Sequence, residues 1–186
     1  MTLEGTNDAP VVMASVGDAQ TAAEDEGLIS LTGTVTLEDV DVSDVLELDS
    51  VTVATAGDDA GAPAPADLLA LFTPATAASI IDGTSATGTH AWSFDVTDGF
   101  DYLSVGQSLT LTYTLRFEDD SGETNDFVEH DVVITVTGTN DAPTLTAATT
   151  NAVEDGAVVS VDLSLLGADV DSEDDGSSLT LSLIHI

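Results

Sequence analysis

The chain of 186 residues contains no cysteine and no lysine, and its single arginine, Arg116, stands against 35 acidic residues, for a formal charge of −34. Absent thiols exclude disulfides and thiolate-bound metals, though by themselves they leave the compartment open. Absent lysine excludes a Schiff base, a P-loop and any lysine cross-link. With one cation there is no cluster to displace counterions from a nucleic-acid backbone or to meet an anionic membrane surface. No stretch approaches the eighteen or so apolar residues of a spanning helix, so no membrane insertion is expected. Catalytic patterns are missing too. His90 and His130 are isolated, without zinc spacing, and no G-x-S-x-G elbow occurs. Acidic pairs are abundant, but they fall in turns rather than in a cleft where two carboxylates could work together. The chain reads as no enzyme. It does hold 42% hydrophobic residues, too many for an acidic disordered tail, so it should bury a core.

Internal repetition organises the rest. GTNDAP occurs at Gly5–Pro10 and again at Gly138–Pro143. An acidic pair follows each copy, Glu24-Asp25 and Glu154-Asp155, and then an acidic loop, Glu38–Asp44 and Ala168–Asp175. Repeated marks in one order imply tandem modules. Met1–Glu4 aligns with Ile134–Thr137 and reads as the end of the last strand of a preceding module rather than as a targeting segment. Residues 5–140 then form one complete module, and 141–180 begin a second that stops early. Leu181–Ile186, LSLIHI, matches the translation of a transposon mosaic-end sequencing adapter, with a genuine strand as the alternative. His185 is given no role.

Between these marks the period is two. Leu109, Leu111, Tyr113, Leu115 and Phe117 alternate with Thr110, Thr112, Thr114 and Arg116, as in a half-buried strand. The same alternation runs through Ile29, Leu31, Val35 and Leu37, through Trp92, Phe94 and Val96, and through Val132, Ile134 and Val136. Short Thr- and Val-rich strands with Gly/Asp turns predict an all-β antiparallel sandwich. Gly57–Gly88, rich in Ala, Gly and Pro, reads as an inserted loop with a short helix over Ala66–Phe72. Trp92, inside an alternating strand, belongs to the core rather than to a glycan platform.

The segment WSFDVTDGFDYLSVGQSLTLTYTLRFEDDSGETNDFVEHDVVITVTGTNDAP, Trp92–Pro143, closely resembles the VCBS repeat, found in tandem in very large secreted bacterial adhesins of the RTX type. With EDEGLISLTGTVTLEDVDVSD upstream, the resemblance covers residues 1 to about 143, and a related cadherin-like module begins at Thr144. It implies an immunoglobulin-like, cadherin-like sandwich, type I secretion, an extracellular or cell-surface location, and a role in adhesion or biofilm formation.

Calcium takes six to eight oxygen ligands, from carboxylates, Asn and backbone carbonyls. A tandem array supplies them from the base of one module, the linker and the top of the next. Carried over from cadherin linkers, which have a comparable Asn-Asp signature, the resemblance implies an upper Ca²⁺ junction of Asn7, Asp8, Asp39, Asp41 and Asp119. Asp119 is hard to tell from its neighbour Asp120. The lower junction would use Glu24, Asp101, Asn140, Asp141, Asp169 and Asp171. One departure weakens the lower set: cadherins carry Leu-Asp-x-Glu where this chain has Phe100-Asp101-Tyr102-Leu103, so Leu103 replaces a ligating Glu. Asp171–Gly176 resembles half of an EF-hand loop, but Ser182 stands where that loop needs its bidentate Glu.

Three functions remain open at this level. The first is a calcium-rigidified spacer whose partners are the neighbouring modules of the same chain. The second is a module that itself binds a cell-surface, glycan or matrix ligand, through Gly57–Gly88. The third is a halophilic surface without specific ions.

Overall fold

The computed structural model describes residues 5–24, 27–76, 79–97, 99–151, 153–160 and 166–174. The expectations for Met1–Glu4 and for Leu181–Ile186 fall outside them.

Two sheets form one sandwich. The first joins β1 (Val11–Val16), β3 (Ile29–Glu38), β7 (Thr87–Val96) and β5 (Phe72–Pro74), in the order β1-β3-β7-β5. The second joins β2 (Ala19–Ala23), β9 (Phe127–Thr137), β8 (Ser108–Asp119), β4 (Val45–Gly57) and β6 (Ile81–Asp82), in the order β2-β9-β8-β4-β6. Taking β1, β3, β7 and β5 as strands A, B, E and D, and β4, β8 and β9 as C, F and G, gives the ABED and GFC sheets of an immunoglobulin-like fold. All pairings are antiparallel except β2 with β9. That exception arises because the first strand changes sheet between β1 and β2. Gly17 makes the change at φ +88°, where a Cβ would sit 2.8 Å from the Thr32 carbonyl oxygen.

The alternating residues face inward as their period requires. Leu109, Leu111, Tyr113, Leu115 and Phe117 on β8 are buried, as are Trp92, Phe94 and Val96 on β7. Phe72 stacks on Tyr113 of the opposite sheet at 4.5 Å and on Trp92 of its own sheet at 5.3 Å. Trp92 is therefore core.

The Gly57–Gly88 stretch does more than loop out. Its helix, α1 (Pro65–Leu71), starts one residue earlier than the sequence suggested, at a proline suited to the first turn, and Phe72 already belongs to β5. Leu68, Phe72 and Ile81 are buried in the core, and the Leu68 carbonyl accepts the Tyr113 hydroxyl at 2.8 Å. The stretch thus supplies an edge strand to each sheet. Beyond the second GTNDAP, the described strands are the two-residue pair β10 (Thr144–Leu145) and β11 (Gly167–Ala168).

Candidate functional site

The repeated motifs come together at opposite ends of the sandwich. At the upper end three segments meet. Asp39 directly follows β3, its amide bonded to the Ala86 carbonyl beside the start of β7 at 2.9 Å. Asp119 ends β8, its amide held by the Asp126 carbonyl at 2.7 Å. The linker passes between them, with the Asn7 amide donating to Asp119 Oδ2 at 3.4 Å. Carboxylate oxygens of Asp39, Asp44 and Asp119 all lie within 4.8 Å of one another.

At the lower end Glu24 follows β2, whose parallel pairing sets Ala23 opposite Thr137. This brings Glu24 to the start of the linker, where Oε1 accepts the Thr139 amide at 2.7 Å. Asp171 arrives from the second segment, and Glu24, Asp141 and Asp171 form the same kind of three-carboxylate group within 4.8 Å. Gly138 permits the approach. A Cβ there would lie 2.3 Å from the carbonyl oxygens of both Leu103 and Ser104.

The two acidic loops have the same hydrogen bonding. Asp8 N–H donates to Asp41 Oδ2 at 2.7 Å, as Asp141 N–H does to Asp171 Oδ2 at 2.9 Å. Asp41 N–H donates to Asp39 Oδ1 at 2.9 Å, as Asp171 N–H does to Asp169 Oδ1 at 3.2 Å, an Asx turn in each loop. Asp44 N–H meets the Asp41 carbonyl at 2.8 Å, and Asp174 N–H the Asp171 carbonyl at 3.1 Å.

These carboxylates sit deep for residues of their kind: Asp39 is 1% exposed, Asp171 3%, Asp119 4% and Glu24 8%. Among the described residues, Asp39 Oδ2, Asp171 Oδ1 and Asn7 Oδ1 are buried without a hydrogen-bond partner. Burial raises the Asp39 pKa; the Asp41 amide opposes this, and the neighbouring Asp119, Asp44 and Asp41 carboxylates add to it. Asp44 is raised for the same leading reason, with a contribution from Asp119. Buried anions held at this spacing are costly unless paired or bound to a cation.

The residues expected from sequence divide accordingly. Asp39 and Asp119 join the upper group, and Glu24, Asp141 and Asp171 the lower. Asn7 reaches Asp119; Asp8 offers its backbone amide, and Asp41 and Asp169 hold the loops in shape. Asp101 is exposed and lines one crevice together with Glu24, but it lies outside the group of three. Asn140 is exposed, its amide turned to the Asp141 carbonyl at 2.6 Å. Asp120 is distinguished from Asp119, because its carboxylate accepts the Val45 amide at 2.9 Å. Asp44 was missed. Its signal was the spacing Asp39-x-Asp41-x-x-Asp44, which a turn closes into one cluster.

No family model matches the chain and no curated protein matches it, so the VCBS resemblance stands on the residues quoted for it. Among solved structures, the ASH/PapD-like domain 7 of human CEP192 aligns at 11% identity and a TM-score of 0.36, covering 74% of this chain and 88% of that one. AggA, the major subunit of aggregative adherence fimbriae type I from Escherichia coli, aligns at 14% identity and a TM-score of 0.30, covering 73% and 99%. At these scores neither likeness carries an argument. The fold assignment rests on the strand order, which is that of an all-β immunoglobulin-like sandwich. Among the described residues, no helix is long and apolar enough to cross a membrane.

Proposed function

We propose that the chain is a spacer segment of a surface adhesin, whose modules are held in line by Ca²⁺ at their junctions. The observation that carries this is the duplication of one acidic loop. The same three hydrogen bonds recur at both ends of the sandwich, each beside a three-carboxylate group that includes a deeply buried Asp. A solvated acidic surface has no need to repeat a hydrogen-bonded geometry at its linkers. Oxygen-only groups of this kind suit a hard cation with flexible coordination. At the upper end Asp39, Asp44, Asp119 and the Asn7 side-chain Oδ1 would hold it; at the lower, Glu24, Asp141 and Asp171. The VCBS resemblance supports secretion and a cell-surface setting on the same footing.

Calorimetric titration of the full chain tests this. The expected result is two sites with affinities around 10⁻⁴–10⁻³ M, the range of extracellular modules. Asp171→Ala should remove one site and Asp119→Asn the other. Heat that follows ionic strength alone, with no preference for calcium over sodium, would return the acidic residues to plain solvation.

A further inference from the structure

The lower junction carries contacts that involve neither carboxylate group. Phe100–Gln107 forms the turn between β7 and β8. The stretch Tyr102-Leu103-Ser104-Val105-Gly106-Gln107 is free of charge in a chain of net −34. Phe100, Leu103 and Ser104 are buried, so the turn is anchored in the sandwich. Its shape is internally fixed: Leu103 N–H meets the Phe100 carbonyl and Gln107 N–H the Ser104 carbonyl, both at 2.9 Å. Gln107 Oε1 accepts the Ser104 amide at 2.9 Å. The Gln107 carbonyl accepts Gly138 N–H at 3.0 Å, tying the turn to the linker.

The loop of the second segment rests on this turn. The Ser172 hydroxyl donates to Gln107 Oε1 at 2.7 Å, and Gln107 Nε2 donates to Glu173 Oε1 at 3.3 Å. Ser172 N–H donates to the Tyr102 carbonyl at 3.0 Å, and Glu173 N–H to Ser104 Oγ at 2.9 Å. An anionic loop is thus met without any cation, by an amide donor and two acceptors for its backbone. Tyr102 is fixed in turn by its hydroxyl bond to the Asp58 carbonyl at 2.9 Å.

We propose that the Ser104–Gln107 turn is a metal-independent docking element, whose partner is the Ser172–Glu173 loop of the following module and whose reading residue is Gln107. It does not depend on the calcium reading. Gln107 is held by its own turn before the partner arrives, so little side-chain freedom is lost on docking. The geometry asks for an amide at 107: the oxygen serves Ser104 and Ser172 together, while the nitrogen faces Glu173.

Amide hydrogen exchange followed by NMR on the full chain, in chelator, tests the idea. The Ser172 and Glu173 amides should exchange more slowly than exposed loop amides, on the order of tenfold, the effect of one hydrogen bond near the top of the usual net range. Gln107→Glu keeps the acceptor for Ser104 and Ser172 but sets a carboxylate against Glu173, and should abolish that protection. The Gly138 amide should stay protected in the variant, reporting an intact turn. Gln107→Ala should give the same loss. Unprotected Ser172 and Glu173 amides in the parent chain would overturn the proposal, as would protection unchanged in Gln107→Glu.

Discussion

Neutralising one carboxylate of the upper group should act with opposite sign in chelator and in calcium. The oxygens of Asp39, Asp44 and Asp119 lie within 4.8 Å of one another. At an effective dielectric near 20, each ionised pair at that distance costs at least ~3.5 kcal/mol. Asp119→Asn removes two such pairs while keeping an acceptor for the Ser121 amide, which now bonds Asp119 Oδ1 at 2.9 Å. Water screens the part-exposed Asp44 and so weakens the repulsion. If a quarter of the sum survives, the variant gains ~2 kcal/mol in chelator. For a chain of this size that is a rise of about 4–8 °C in Tm. With calcium at a hundred times its Kd, the parent gains ~2.7 kcal/mol from one site, and the variant forfeits it. Melting followed through Trp92, the one tryptophan and a buried one, reads both effects in the same sandwich. Sodium chloride at matched ionic strength separates screening from binding. A change of the same sign in chelator and in calcium would refute the reasoning.

Other consequences follow from single residues. Gly138→Ala should cost about 1–3 kcal/mol by urea denaturation, because its Cβ meets two carbonyl oxygens at 2.3 Å. Gly5→Ala, at the same place in the first GTNDAP, has nothing within 4 Å and should be near neutral. His90 is buried against Phe117 with neither ring nitrogen hydrogen-bonded among the described residues, and burial lowers its pKa below 6.5. The unfolded chain therefore takes up a proton that the folded one resists, and stability falls as pH drops through 6.5 toward the folded value. His90→Leu should flatten that slope in a pH series of melts; equal slopes would exclude the residue. Arg116 pairs with Asp49 at 3.4 Å and Glu118 at 3.1 Å and lies over the Phe127 ring. Although it is the only cation among the Lys and Arg positions, these pairs are partly solvated, and Arg116→Ala should cost less than ~1 kcal/mol plus its ring packing in the same denaturation assay.

How much of this was legible beforehand depended on the element. β8, β7 and β9 announce themselves because one face of each is buried against the opposite sheet, so their sequences alternate over five positions or more. β4 does not: Leu46 is its one buried residue, Leu48, Val51 and Val53 pack only partly against the core, and a bulge between Leu48 and Ser50 breaks the register. β1 hid for a similar reason, as an edge strand with exposed Val11, Met13 and Val16. The insertion was legible only in part: its short helix was expected, its two edge strands were not. Ala, Gly and Pro suggested an inserted loop, yet three apolar residues spaced along it, Leu68, Phe72 and Ile81, close the core. At the site, repetition located the loops and the linkers, because equal local sequence makes equal turns. Asp44 escaped because its place depends on a turn that reverses the chain after Asp41, and Asp101 was assigned by analogy to a motif whose Glu this chain lacks.

A chain without lysine has few ways to bring two anionic ends together. Backbone amides are one, used by Thr139 toward Glu24 and by Asp141 toward Asp171. Neutral side-chain amides are another, used by Gln107 toward Glu173. Each of these satisfies one oxygen and leaves the net charge untouched. Asp171 illustrates the remainder: Oδ2 takes the Asp141 amide, while Oδ1 is buried with no hydrogen-bond partner among the described residues. Asp39 divides in the same way at the upper end, with Oδ1 bonded to the Asp41 amide and Oδ2 without a hydrogen-bond partner among the described residues. A donor elsewhere in the protein could satisfy a lone pair, but it would not offset three carboxylates held within 4.8 Å. Protonation or positive charge does that, and the one Lys or Arg side chain, Arg116, is already paired with Asp49 and Glu118. The hydrogen bonds therefore set where the oxygens stand, and the proposed divalent cation would supply the charge that they leave uncompensated.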